Sequence, residues 1–193
     1  MDMNIRDRTR EAVRADLART VLDVFLKRGY AVTVDDAAKE AGISRATFFR
    51  YFGSKEDVVV ASVESAKINY LDALRELPQE SIPSGWRLVR AAIEPVVLTA
   101  TAEPEALRAR LRLIASEPAL KRRLLERRAV NTEALVAALD QHVGDSFTAR
   151  ILATSGLAAV DVAWERWAPQ DGADFRVIVD EVFERLENAG SGG

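Results

Sequence analysis

The residues best suited to chemistry lie between Thr33 and Lys55, and they suit recognition of a polyanion rather than bond making. On a helix turning about 100° per residue, Phe48 and Phe52 fall on one side with Tyr51 flanking. Ala46, Thr47 and Arg50 fall on the other. Arg45 sits in the first turn, beside helix N–H groups that lack an intrahelical partner. The aromatic side can anchor the helix in a core. The small, basic side can approach the floor of a DNA major groove, where Arg50 and Arg45 have the reach for guanine or phosphate. Backbone N–H groups at the helix starts near Thr33, Ser44 and Ser54 suit phosphate, as does Lys55. An ordinary three-helix bundle with solvated arginines would show the same periodicity, so pattern alone leaves both readings open.

Three helix starts of one kind position these residues. Thr33 is an N-cap with Asp36 completing a capping box, and Gly42 closes that helix. Ser44 caps the next, with Ile43 able to staple onto Phe48, and Ser54 caps a third with Asp57 as its partner. Ahead of them, Val13, Leu17, Val21, Val24 and Phe25 recur at helical spacing and predict a helix over 5–28, ended by Gly29. The helix from Ser54 is predicted to continue through Val58, Ala61, Ala66, Tyr70, Leu71 and Leu74 to Leu77, before a loop bracketed by Pro78 and Pro83. A fifth helix starts at Ser84 and is kinked by Pro95. Pro104 and Pro118 each open a helix at its first position, the second running to His142 before Gly144. Residues 146–168 and 174–188 supply two more. The expected fold is all-α with about nine helices: a three-helix helix-turn-helix DNA-binding domain (1–55) joined by a long helix to a helical effector-binding and dimerisation domain (56–189), with a disordered tail at 190–193.

Composition narrows the function. There is no cysteine and one histidine, His142, so neither a disulfide framework nor a thiolate site exists. No phosphate-cradling loop or dinucleotide fingerprint is present, which argues against an enzyme. Nothing calls for a metal or organic cofactor. Glu64, Asp161 and Glu165 are too far apart in sequence to nominate a carboxylate pair. No apolar run is long enough for a membrane span, and the charged N-terminal stretch has no signal-peptide core, so a cytoplasmic protein is expected. Residues 1–55 carry 11 Lys/Arg against 8 Asp/Glu, while the remainder carries 16 against 22. A basic end on an acidic body suits end-on approach to a polyanion.

The stretch GYAVTVDDAAKEAGISRATFFRYFGSKEDVV resembles the DNA-binding signature of the TetR (tetracycline-repressor) family of bacterial regulators. The resemblance covers roughly residues 10–60. It rests on the Gly29-Tyr30 entry, the Ala-x-x-Ala-Gly-Ile-Ser turn ending at Ser44, and the Thr47-to-Glu56 run. It implies a homodimer on double-stranded operator DNA, released when a small-molecule effector binds the C-terminal domain. It makes Thr33, Ser44, Arg45, Thr47, Phe49, Arg50 and Lys55 DNA contacts, together with Ala46 on the same face. Phe49 departs from the pattern, standing where the family usually has a tyrosine whose hydroxyl meets phosphate.

The C-terminal part is less patterned. The run LRARLRLIASEPALKRRLLERRA is similar to an actinobacterial subgroup whose C-terminal domain binds acyl-CoA-like ligands, which implies a fatty-acid-like effector. Residues 106–128 hold Arg108, Arg110, Arg112, Lys121, Arg122, Arg123, Arg127 and Arg128 against Glu117 and Glu126, a strip that could receive thioester phosphates or simply be a solvated helix face. Ile93, Val97, Leu111, Ile114, Leu124 and Trp164, apolar and on the middle helices, are the candidate pocket. Trp86 and Trp167 read as core or interface. The family's last two helices form a four-helix dimer interface, which here nominates Leu157, Val160, Trp164, Phe175, Ile178, Val179, Val182 and Phe183. The competing function is a helical scaffold protein without DNA binding.

Overall fold

A computed structural model describes residues 5–63, 70–78 and 85–191, and every regular element among them is helical. The order is α1 (Ile5–Arg28), α2 (Val34–Glu40), α3 (Arg45–Phe52), α4 (Lys55–Ala61), α5 (Tyr70–Arg75), α6 (Gly85–Ala92), α7 (Glu94–Ala102), α8 (Pro104–Ser116), α9 (Pro118–Val143), α10 (Ser146–Trp167) and α11 (Phe175–Ser191). The chain divides into two compact units: Met1–Glu64 with Ala109–Leu124, and Ser65–Arg108 with Leu125–Gly193. α8 and α9 therefore each contribute to both.

In the first unit the three short helices begin as their caps dictate. Thr33, Ser44 and Ser54 accept from the backbone N–H of Asp36, Thr47 and Asp57 at 3.1, 3.1 and 3.0 Å. The turn between α2 and α3 passes through Gly42 at φ 71°, where a side chain would be strained. Ile43 N–H reaches back to the Ala38 carbonyl, closing α2. The core combines Val21, Leu22 and Phe25 of α1, Ala37 and Ala38 of α2, Phe48 and Phe52 of α3, and Val58 and Val59 of α4. Ile114 and Leu120 complete it, with Leu113 and Leu124 packed alongside, so the α8–α9 corner is built into this core. Val13, part of the predicted α1 stripe, is instead exposed.

In the second unit α10 packs on α11, and both pack on α6. Gly156 of α10 meets Val89 of α6 so closely that a Cβ there would lie 2.4 Å from Val89 Cγ1. Arg108 is 1% exposed, its guanidinium 4.0 Å from the Trp167 ring centroid. It donates to the carbonyls of Gln170 and Ala173 just past the end of α10, beside the bonds that Ala173 N–H and Trp167 Nε1 give the same two oxygens.

Two predicted helices are each divided. α4 stops at Ala61, where the Ser62 hydroxyl donates to the Val59 carbonyl at 2.5 Å and competes with continuation. Helix resumes by Tyr70; the predicted positions Glu64 and Ala66 lie outside the described residues. At Pro95 the expected kink is a full break, with Ile93 in the turn between α6 and α7 and the proline near the new N-terminus. These two divisions turn the expected nine or so helices into eleven among the described residues. The predicted start at Ser84 and the loop residue Pro83 lie outside the described residues, while α11 runs past the expected tail boundary to Ser191.

Candidate nucleic-acid interface

α3 carries the surface that the sequence singles out. Phe48 and Phe52 are buried in the core that α3 shares with α1, α2 and α4, their centroids 5.2 Å apart and edge-to-face. Pinning that side turns Arg45, Ala46, Phe49 and Arg50 outward, all exposed, with Thr47 half-buried at the rim. The Ser44 hydroxyl donates to Thr47 Oγ1 at 3.0 Å, so both residues belong to the cap. Thr33 is exposed and donates to Asp36 Oδ2 at 2.8 Å.

The two arginines differ. Arg45 Nη1 pairs with Asp35 of α2 at 2.7 Å, and its guanidinium carbon Cζ lies 5.1 Å from the centre of the Phe49 ring. Arg50 makes no ion pair among the described residues and rests 5.3 Å from the Tyr51 ring centre. Of the three capped starts, only α3 lacks acid in its first turn. Asp35 and Asp36 stand at the start of α2, Glu56 and Asp57 at the start of α4. Carboxylates there oppose phosphate, so α3 is the start electrostatically suited to an anion.

Lys55 does not face outward as the sequence reading requires. Its Nζ donates to the carbonyls of Tyr30 and, at 2.7 Å, Val32, and sits 3.9 Å from the Tyr30 ring centre and 5.0 Å from that of Phe25. Burial lowers its pKa against the opposing pull of Glu56 and Glu117. The Tyr30 hydroxyl donates to Glu56 at 2.7 Å; burial, then that carboxylate, push its pKa up. Lys55 is thus a strut tying α4 to the segment that enters α2. Two further supports escape sequence reasoning. Arg14 donates to the Tyr51 carbonyl at 3.1 Å, and Arg123 of α9 binds the Asp57 carboxylate through Nε and Nη2 at 2.9 and 2.7 Å. These partners lie 37 and 66 residues apart, beyond any local signal.

Several side chains of the basic strip of residues 106–128 are engaged within the chain. Arg108 is buried on carbonyls, Arg110 donates to the Ser62 carbonyl at 3.2 Å, Arg123 serves Asp57, and Arg128 pairs with Asp161. The six candidate pocket residues are also divided. Leu111, Ile114 and Leu124 belong to the first unit, Ile114 and Leu124 in or against its core. Ile93 and Val97 are fully buried in the second, where Trp164 stacks on Phe175 with centroids 3.7 Å apart. A groove of about 320 Å³ between α6 and α11 is lined by Trp86, Arg87, Arg90, Asp180, Phe183, Glu184 and Glu187, none of them among those six.

The stripe assigned to a dimer interface is largely occupied within the chain. Val160, Phe175, Ile178, Val179 and Phe183 are buried, and Leu157, Trp164 and Val182 half-buried, because α10 and α11 first pack on each other and on α6. Among the described residues, large apolar side chains left exposed lie elsewhere: Phe147, Ile151 and Val162 on α10 and Val177 on α11, besides Leu98 on α7 and Leu125 and Val130 on α9. His142 Nδ1 sits 3.2 Å from the Ala138 carbonyl. Among the described residues no cluster of three metal-ligating side chains occurs, and no helix is long and apolar enough to cross a membrane.

Residues 20–61 match the family model for bacterial regulatory proteins of the tetR family, and residues 84–190 match that of the MftR C-terminal domain. The chain is 33% identical over 152 residues to the HTH-type transcriptional regulator EthR of Mycolicibacterium smegmatis, covering 76% of this chain and 69% of that protein. It is 30% identical over 86 residues to the HTH-type transcriptional activator FasR of the same organism, covering 44% and 39%. These relatives are regulators rather than enzymes. The fold resembles that of Thermus thermophilus FadR, a TetR family transcriptional repressor in complex with lauroyl-CoA, with a TM-score of 0.58 and 21% identity over 90% of this chain and 93% of that one. A TetR-like transcriptional regulator from Rhodococcus sp. RHA1 gives 0.55 and 20% over 94% and 98%.

Proposed function

Because the chain belongs to the TetR family of bacterial regulatory proteins and is a DNA-binding transcriptional regulator, we propose that it represses transcription from a palindromic operator and is released by a small acyl-type ligand. The observation that carries the reading is α3, whose buried aromatic pair turns Arg45, Ala46, Phe49 and Arg50 outward above a capped helix start free of acid. Such a rod fits a major groove, and two copies about 34 Å apart fit successive half-sites. A homodimer in the cytoplasm supplies that spacing. The exposed face of α10, where Phe147, Ile151, Thr154, Ala158 and Val162 recur at helical spacing, supports a second copy packing there.

For the effector, the lauroyl-CoA in the Thermus FadR complex supports an acyl thioester or fatty acid. An effector that favours a dimer with altered reading-head spacing acts through its differential affinity for the two states, typically about 1–3 kcal/mol. Fluorescence anisotropy of a labelled duplex, selected from random sequence, tests the DNA half of the proposal. Affinity is expected to fall steeply with salt, and Arg50→Ala to erase discrimination from scrambled duplex while thermal melting is unchanged. Salt-insensitive or absent DNA affinity would favour the scaffold reading instead. A thermal-shift panel of acyl-CoA thioesters, free fatty acids and free CoA tests the ligand half, since a native-state ligand raises the melting temperature by mass action.

A further inference from the structure

The outward side of α3 is short of hydrogen-bond donors. Ala46 and Phe49 carry no side-chain donor, the Ser44 hydroxyl gives its proton to Thr47 Oγ1 in the cap, half-buried Thr47 stands at the rim, and Arg45 Nη1 is paired with Asp35. Arg50 is left as the one group on that side suited to bidentate reading of a guanine. Phe49 is 40% exposed, yet its ring is not loose. It stands nearly perpendicular to the Phe48 ring, at 5.4 Å between centroids and 79° between planes, and the Arg45 guanidinium covers it at 5.1 Å. A fixed apolar ring one turn from exposed Ala46 can recognise only an apolar feature of the groove. The major groove offers one such feature, the C5-methyl of thymine.

We propose that Phe49, with Ala46 beside it, is a specificity-determining residue that reads a thymine methyl in each operator half-site, next to the guanine read by Arg50. The inference rests on the DNA-binding reading above, and the test separates the two. A duplex is selected from random sequence with the full chain, and each thymine is then replaced singly by deoxyuridine, which removes only the methyl. Wild-type affinity is expected to drop about fourfold at one thymine position per half-site, the worth of one buried methyl-sized group, and to be unchanged at the others. Phe49→Ala, or Phe49→Leu should the alanine variant melt early, is expected to bind the thymine and deoxyuridine duplexes more nearly alike at that position. Equal wild-type binding to every deoxyuridine duplex, or full discrimination retained by the Phe49 variants, overturns the proposal while leaving DNA binding intact. Failure of the chain to enrich any duplex overturns both.

Discussion

At the scale of single residues, position in sequence and direction in space part company at Lys55. Its charge in the first turn of a helix behind the recognition element invites a phosphate contact, yet its ammonium group is engaged by the carbonyls of Tyr30 and Val32 and by two aromatic faces. The two roles make opposite predictions. As a strut, Lys55→Met should cost about 1–2 kcal/mol of stability, the worth of charged hydrogen bonds in a half-exposed setting. It should leave the salt dependence of DNA binding as steep as before. As a phosphate contact it would leave melting unchanged and reduce the logarithmic salt slope by about one. Urea melts and anisotropy titrations at several salt concentrations decide between them. The face of α3 was legible because local rules govern it: a serine cap, a 3.6-residue period and two phenylalanines four apart. The carbonyls that hold Lys55 sit more than 20 residues before it, and nothing in the period of α4 announces them.

At the scale of elements, what sequence marks is where a helix starts; how far it runs depends on partners. Cap residues and prolines placed the beginnings of α2, α3, α4, α8 and α9, but not the stop after Ala61, where three successive buried valines replace an amphipathic stripe. The approach of α10 to α6 at Gly156 was equally invisible, since a glycine within a helix signals nothing about its neighbour. Gly156→Ala should destabilise by about 1–3 kcal/mol through overpacking against the stiff Val89 side chain. Adding Val89→Ala should recover part of that loss, so the double variant is expected to cost less than the two single changes together. Strict additivity in denaturant melts would refute the close contact. A second elemental joint is electrostatic. Glu94 of α7 accepts from Arg90 of α6 at 2.8 Å and from Arg176 of α11 at 3.0 and 2.5 Å. Burial raises the Glu94 pKa, but the bonds from Arg176 and Arg90 outweigh it and leave the carboxyl below its usual range. A carboxyl depressed by folding stabilises above its unfolded pKa of about 4.3 and loses that contribution as pH falls through the folded value. Wild-type stability should therefore decline below about pH 4.5 partly through this joint. Glu94→Gln should be less stable at neutral pH and converge on the wild type in acid. A constant gap between the two from pH 7 down to about pH 3 would show the charge to be irrelevant.

At the scale of the whole molecule, a stripe of apolar residues says that a face is covered, not by what. Phe175, Ile178, Val179 and Phe183 read well as an interface, and each is covered, but by the chain's own helices. The same limit divided the candidate pocket, because Ile114 and Leu124 fill the core beside α1 and α4 while Ile93 and Val97 fill another. What distinguishes an intermolecular face is apolar surface that remains after the chain has packed on itself, and on α10 that surface includes Phe147, Ile151 and Val162, with Phe147 72% exposed. This choice between faces is testable by where a charge does harm. Ile151→Glu with Val162→Glu should leave helix content and cooperative unfolding in place while light scattering falls to the monomer mass. Operator affinity should fall with it, because a single reading head forfeits the second half-site. Val160→Glu, by contrast, places a charge in the packed interior and should unfold the chain rather than divide it. A dimer that survives the double substitution at Ile151 and Val162 would mean that two copies meet on another surface.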